Sequence, residues 1–449
     1  MSLDRSYQDA IDYLFALQKH GVKLALANSI TLMEIMGSPH RKFRTVHVAG
    51  TNGKGSTSAC IASMLQTAGY RVGLYTSPHL VSFTERIRIN GTAISEDDVV
   101  ELAQSVREAC RGLKSSNESG GMIPTFFEVT TAIAFRYFAD QGVDLAVIEV
   151  GMGGRLDSTN VITPLVSVIS NIDLEHTEFL GATLEQIAGE KAGIIKPAVP
   201  LVTGVKQPEV INLFERQAMA HGAPVYRLEK DFRPEKRVPG VSQVFDYRGL
   251  ASDYPGLRLN LIGRHQVDNA CLALATIECL RDAGIAVSES ALRSGLERAR
   301  WEGRMERVAQ RPDIYLDGAH NPASARALAG AIAELKPLYR RLVLVIGILG
   351  DKDYRGILAE LLPLADHIVV TRPQYSRALD IGVLTREIRN LHASVDTAET
   401  VGEAIQRARE RASADDLILV TGSLYVVGDA RAIFFPARGR TGAFTSLKG

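Results

Sequence analysis

Strand-like runs alternate with helix-like segments along almost the whole chain, and this alternation limits the fold to parallel sheets covered by helices. Thr45 to Ala49 (TVHVA) is short and β-branched, and it leads into a glycine loop and then a periodic helical stretch ending near Gly69. Arg71 to Thr76 (RVGLYT) reads as the next strand. Ser95 predicts the N-cap of a helix through Leu113, because its hydroxyl accepts an otherwise unpaired first-turn amide; Lys114 to Gly121 (KSSNESGG) reads as a polar loop. Phe126 to Gln141 reads as a helix stopped by Gly142. Val143 to Val150 (VDLAVIEV) is nearly continuous apolar sequence, as a central parallel strand should be, and Leu165 to Ser170 repeats that character. Thr183 with Gln186 forms a capping box, predicting a helix from Leu184 to about Ile195 that Pro197 ends.

At 449 residues the chain exceeds what one core supports, so two domains are expected. Lys230 to Tyr254 reads as polar and irregular, the helix from His265 to Gly284 closes the first unit, and a hinge falls near Arg298 to Gly303. Around Ile314 the alternation restarts with DIYLD, RLVLVIG, DHIVV and DLILVTG. The expected class is α/β: an N-terminal P-loop-type, mainly parallel sheet domain over residues 1–298 and a smaller C-terminal Rossmann-like domain over 299–449.

Lysine plus arginine (51) balance aspartate plus glutamate (51), so no overall field favours nucleic acid or an anionic membrane. The four cysteines, Cys60, Cys110, Cys271 and Cys279, form no CxxC pair and read as reduced, mostly buried thiols. MSLDRSYQDAIDYLF lacks a basic region followed by an apolar one, and no apolar run approaches a bilayer's span. A soluble, cytoplasmic protein is expected.

The strongest local signal is Gly50-Thr-Asn-Gly-Lys-Gly-Ser-Thr57 between a strand and a helix. Successive backbone amides and the positive end of the helix suit an anionic phosphate, with Lys54 as a point charge for its outer groups. The generic GxxxxGK[ST] pattern is not met, since Val48 occupies its first glycine and Gly55 separates Lys54 from Ser56. A plain glycine turn therefore stays open on these residues alone. Glu149 ends the apolar strand VDLAVIEV, where open α/β sheets place ligands, although a strand-end carboxylate can also be hydrogen-bonded scaffold. By themselves His176 reads as a structural histidine, Ser77 as a turn serine and Lys191 as a lysine complementing a helix C-terminus.

GTNGKGST, followed in order by YTSPHLVSFTERIRING, EVGMGGRLDSTN, HTEFLG, EKAGI, GRHQVDNA and DGAHNP, resembles the folate branch of the Mur ligase superfamily. GILGDKD and VTGSLYVVGD extend the resemblance more weakly into the C-terminal third. It implies an ATP-dependent ligase that activates the carboxylate of dihydropteroate or a reduced folate with the γ-phosphate, for attack by the amine of L-glutamate. It also implies nucleotide contacts from Asn52, Gly53, Lys54, Gly55, Ser56, Thr57, Asn269, Arg304 and Asp317. The metal ligands implied are Ser77, Glu149 and His176 for magnesium, with Lys191 as a carbamate. Lys54, Lys191, His176 and Glu149 form the expected catalytic set. On the pterin side the resemblance points to Thr125, Phe126, Phe127 and Glu128, with Leu156, Asp157 and Ser158, while His320 is a candidate for nucleotide or incoming glutamate. Phe126 and Phe127 read equally as helix core. VKLALANSITLMEIMG lacks the family's glycine-leucine-glutamate after the lysine, so no pterin contact is carried onto it. The partners expected are small molecules, without nucleic acid or membrane, and the expected state is a monomer.

Other readings are a cell-wall Mur ligase, a P-loop kinase or NTPase, and a non-catalytic binding protein. The first would need an N-terminal domain for a UDP-sugar, for which a loop beginning at Gly50 leaves no room. Release of phosphate only when glutamate is present would exclude the second. Retention of Lys54, Glu149, His176 and Lys191 together argues against the third. Whether the acceptor is dihydropteroate, glutamylated folate or both is not encoded in these motifs; the expectation is a bifunctional enzyme.

Overall fold

The apolar runs become parallel strands in a computed structural model that describes residues 6–21, 25–116, 124–392 and 394–436. Strands β1 (Arg44–Ala49), β2 (Val72–Tyr75), β3 (Ile87–Ile89), β4 (Thr92–Ala93), β5 (Leu145–Glu149), β6 (Val166–Ile169), β7 (Leu201–Thr203) and β8 (Val225–Arg227) form one eight-stranded sheet. Its order is β4-β3-β2-β5-β1-β6-β7-β8, parallel except at the β2/β3 and β3/β4 pairs. Side chains alternate between faces along each strand. Leu145 and Val147 therefore pack with Val46, Val48 and Ile61, whereas Ala146 and Ile148 pack with Tyr75 and Phe135 on the other face. Truncating one such side chain, as in Ile61→Ala, costs about 2–5 kcal/mol.

Helix ends follow the capping chemistry. Ser95 caps a helix that runs over Glu96–Ser116, past Leu113, and the rest of the polar stretch expected there lies outside the described residues. The Thr183/Gln186 capping box forms, but its helix spans Leu184–Ala192 and stops short of Ile195. There the amides of Ile194 and Ile195 bond carbonyls three residues back, tightening the chain into short turns. After the helix Arg264–Asp282 a further helix, Glu289–Arg298, adds Leu292 and Leu296 to the first sheet's core.

The stretch read as irregular is instead an antiparallel sheet of β9 (Arg233–Val238), β10 (Gln243–Arg248) and β11 (Asp253–Leu259), in the order β11-β10-β9. Gln243, Phe245 and Tyr247 are buried between half-buried neighbours, which is the expected period of two. Charged outward positions and two bulged registers obscured that period.

A six-stranded sheet of β12 (Glu306–Ala309), β13 (Asp313–Leu316), β14 (Leu342–Ile346), β15 (His367–Val370), β16 (Val395–Thr397) and β17 (Leu417–Thr421) follows in the order β12-β13-β17-β14-β15-β16. Only the β12/β13 pair is antiparallel. The edges β12 and β16 lack fully buried residues, which is why no apolar run announces them. Apolar side chains join the sheets: Leu80, with Val81 beside it, enters one core of the second sheet and Ile262 the other. No helix among the described residues is long and apolar enough to cross a membrane.

Candidate functional site

The carboxyl ends of β1, β2, β5 and β6 open onto a cleft of ≈ 480 Å³, faced from the other side by Asp317 to His320 and the start of the helix Pro322–Leu335. Such a volume suits a nucleotide-sized ligand. Asn52, Gly53, Lys54, Gly55, Ser56, Ser77, Glu149, His176, Asn269, Arg304, Asp317 and His320 all line it. Gly53 caps the helix Lys54–Thr67 in left-handed backbone (φ 83°) and makes no side-chain cap, so first-turn amides stay available to an anion. A Cβ at Gly53 would lie 2.4 Å from Asn269 Oδ1, so glycine alone allows this approach. Lys54 Nζ donates to the carbonyls of Gly50 and Thr51, both at 3.1 Å. Thr57 lies fully buried behind Ser56, its hydroxyl unpartnered among the described residues.

Glu149 is buried and accepts from the Ser77 amide at 3.1 Å. Burial raises its pKa, while Lys54, the Ser77 N–H, Arg304 and Arg86 pull it back. His176 stands at the cleft mouth in left-handed backbone (φ 52°). Part of its ring reaches solvent, yet enclosure by the cleft walls, with Lys352, Lys54 and Lys191 nearby, pushes its pKa down to about 4 despite Glu175. The imidazole is therefore neutral at neutral pH. Lys191 is buried, and its Nζ donates to the Gly50 carbonyl at 3.0 Å from behind the loop. Burial first, then Lys54, pushes its pKa down to about 7.

From the second sheet, Asp317 is buried and accepts from the amides of Met305 and Ala319, both at 2.9 Å, so it ties the linker to the cleft. Arg304 Nη1 donates to the Gly303 carbonyl at 2.9 Å. The patterning missed Glu175, whose Oε1 faces His320 Nε2 at 2.9 Å, Asn321 Nδ2 at 3.3 Å and Lys352 Nζ at 3.5 Å. Burial alone would raise its pKa, but His320, His176 and Lys352 hold it well below the usual carboxylate range. It also missed the amide pair of Asn52 and Asn321 across the cleft at 3.1 Å. Asn321 had a usable signal, because Asn before Pro is a helix start and its side chain does cap Pro322–Leu335. Lys352 had none beyond the weak GILGDKD resemblance.

The residues expected on the pterin side stand behind this cleft rather than lining it. Thr125 and Glu128 form the capping box of the helix Phe126–Asp140, and both are buried. Phe126 stacks on Phe15 at 5.5 Å beneath the Arg86 guanidinium at 5.2 Å. Phe127 packs under Gly151 in the cleft wall and 6.1 Å from the Tyr75 ring. Asp157 accepts from the Met152 amide and from Thr159, fixing the loop that follows Glu149, with Leu156 and Ser158 beside it. None of these seven residues lines the phosphate cleft.

The description "Mur ligase middle domain" matches residues 48–277, and "Mur ligase, glutamate ligase domain" matches residues 303–424. A Bacillus subtilis dihydrofolate synthase/folylpolyglutamate synthase is 40% identical over 433 residues, which is 95% of this chain and 98% of that protein. The chain belongs to this family of Mur ligases. Its members are ATP-dependent ligases, and so is this chain. A Mycobacterium tuberculosis folylpolyglutamate synthase complexed with ADP and AMPPCP superposes with a TM-score of 0.88 at 37% identity, covering 97% of this chain and 100% of that one. An E. coli FolC in complex with DHPP and ADP gives a TM-score of 0.85 at 31% identity, covering 96% and 98%. Like this chain, the family members span both sheets.

Proposed function

We propose that the chain joins L-glutamate to the carboxylate of dihydropteroate and to the terminal glutamate of reduced folates, using ATP and passing through an acyl phosphate. The single observation that carries this is the facing of Thr51 to Ser56 by Asp317 to His320 across one cleft, with the buried Glu149 carboxylate lining it. Family membership and the relatives' complexes with ADP, AMPPCP and DHPP support the same reading. Asn52 to Ser56 receive the phosphates, while Thr57, expected among them, lies buried behind Ser56 with its amide bonded to the Gly53 carbonyl and only backs the loop; Asn269, Arg304 and Asp317 take the nucleoside side, and His320 the nucleotide or incoming glutamate. Thr125 to Glu128 with Leu156 to Ser158 form the pterin wall.

Magnesium fits Glu149, His176 and the Ser77 hydroxyl, because Glu149 has one backbone partner and His176 is neutral. Magnesium keeps several waters, so water and phosphate oxygens would complete its shell beside these residues. When bound it would neutralise charge on the transferred phosphoryl group. Lys191, buried and largely unprotonated above about pH 7, is suited to form a carbamate. The division at 298/299 places the helix Glu289–Arg298 in the first domain and β12 in the second. A cytoplasmic monomer without nucleic-acid partners completes the reading, supported by the balanced charge.

The test is ADP release by purified protein given ATP with glutamate and either dihydropteroate or tetrahydrofolate. Release with both acceptors, only when glutamate is present, supports the bifunctional reading. Release with tetrahydrofolate alone leaves only the polyglutamylating activity. Equal release without glutamate would instead indicate an NTPase.

A further inference from the structure

Arg237, on the sheet that sequence patterning missed, reaches the second half of the molecule. Its Nη1 and Nη2 donate to Glu334 Oε1 and Oε2 at 2.6 and 2.5 Å, and Glu334 sits in the last turn of the helix Pro322–Leu335. Its Nε and Nη2 also donate to Gln243 Oε1 at 2.8 and 2.5 Å. Gln243 is fully buried and donates onward to the carbonyls of Leu261 and Gly263 at 2.5 and 3.1 Å. Gly263 caps the helix Arg264–Asp282, which presents His265, Gln266 and Asn269 to the cleft. A continuous hydrogen-bonded strut thus joins the nucleotide side of the cleft to the far end of the opposing helix.

Three observations make this strut a pivot. Ile262, between the two carbonyls that Gln243 holds, is embedded in the second sheet's core, so apolar packing backs the ion pair. The guanidinium and carboxylate are only 14% and 27% exposed, and a two-bond fork fixes direction as well as distance. A glutamate near a helix C-terminus opposes the helix dipole, so Glu334 serves its partner rather than its own helix. The opposite link is looser, since one Glu175 oxygen is shared among His320, Asn321 and Lys352 at 2.9 to 3.5 Å.

We propose that Arg237 is a positioning residue for ligation: with Glu334 it sets the angle at which the helix Pro322–Leu335 meets the cleft. The helix rises about 1.5 Å per residue, so about 10° of slack at Glu334 moves its other end, with Asn321 and Ser324, by roughly 3 Å. Such slack leaves the phosphate loop intact but lets water into the closed cleft, where an activated carboxylate is lost to hydrolysis. The inference rests on the ligase reading above.

The experiment compares full-length wild type, Arg237→Ala, Glu334→Ala and the double variant for ADP released, glutamate ligated and ADP affinity. Each single variant should keep its ADP affinity within about twofold, lose about tenfold in kcat, and release more than one ADP per ligation. The double variant should be no worse than the weaker single one, because the two side chains act as one unit. A variant that merely folds poorly loses ADP and product in parallel and keeps their ratio at wild type. That unchanged ratio in all three variants, or losses that multiply in the double, would overturn the proposal. Failure of wild type to show glutamate-dependent ADP release would instead strike the ligase reading.

Discussion

Lys54 and Lys191 donate to one acceptor, the carbonyl oxygen of Gly50, at 3.1 and 3.0 Å. Two ammonium groups on one oxygen repel, and burial falls hardest on Lys191, whose pKa is pushed down to about 7 from 10.5. The uncharged amine is the form that takes up carbon dioxide, so ligation should decline as pH falls through about 7. Lys191→Ala should lose most activity and regain part with acetate, whereas Lys191→Arg should stay inactive. Full activity in Lys191→Arg would return Lys191 to a helix-end role. The linkage has a definite sign: the unfolded chain holds this proton up to 10.5 and the folded one only to about 7. Stability should therefore rise with pH across that window, and Lys191→Met should flatten the rise in urea midpoints.

Removing Lys54 tests the phosphate loop. Lys54→Ala leaves the glycine backbone and its helix in place but deletes the outer-phosphate charge, so kcat/KM should fall by about 100-fold or more with an unchanged melting temperature. Near-wild-type turnover in a folded variant would reject the assignment.

Glu149 separates activity from stability. Its pKa is raised by burial, so above that value the carboxylate costs the fold free energy that the unfolded chain does not incur. Glu149→Gln keeps an acceptor for the Ser77 amide and removes the charge, so the ligand-free protein should gain stability at neutral pH, read as a higher urea midpoint. The same change should abolish magnesium-dependent turnover, because an amide supplies no negative charge to hold the cation. A less stable variant with unaltered magnesium dependence would contradict both expectations.

Thr125 offers a similar separation on the pterin side. Its side chain accepts from the Glu128 amide, so Thr125→Ala should cost about 1 kcal/mol of stability through the cap alone. A rise in KM for the pteroate acceptor, with KM for ATP unchanged, would add a binding role. Unchanged KM values for both acceptor and ATP would leave Thr125 as a cap.

Much of the architecture was legible because its central strands are buried on both faces and read as unbroken apolar runs, as in VDLAVIEV and RLVLVIG. Edge strands such as β12 and the bulged strand β10 carry no such run, and tertiary pairing alone defines them. In the site, Glu149 was reachable because it ends an apolar strand and Lys54 because it sits in a glycine loop between strand and helix, whereas His176 was reached only through the family resemblance. Glu175 and Lys352 were not, since their significance lies in a contact between positions 177 residues apart that no local pattern encodes. Gln243 and Arg237 were hidden for the same reason, inside a stretch whose charges resemble those of a loop.

Trp301 provides the last test, because it is the only tryptophan in the chain and lies in the linker between the sheets. Its indole covers Gly55, where an added Cβ would come within 2.6 Å of the ring nitrogen and 2.8 Å of two ring carbons. On the neighbouring side the Arg88 guanidinium sits 5.7 Å from the ring and pairs with Glu302 at 3.0 Å. The ring is therefore fixed between the phosphate loop and a charged pair, and phosphate arriving beside Lys54 changes the field across it. ADP should shift or quench the tryptophan emission with a saturable dependence, and the Lys54→Ala variant should lose that response. Gly55→Ala forces the ring or the helix to move, so it should cost about 1–3 kcal/mol as an overpacked contact. Trimming the partner in Gly55→Ala/Trp301→Leu should recover part of that loss, since the smaller side chain leaves room for the methyl group. Additive losses in the double variant would show that the indole does not press on the loop, and an emission spectrum indifferent to ADP would remove Trp301 as a reporter of the nucleotide.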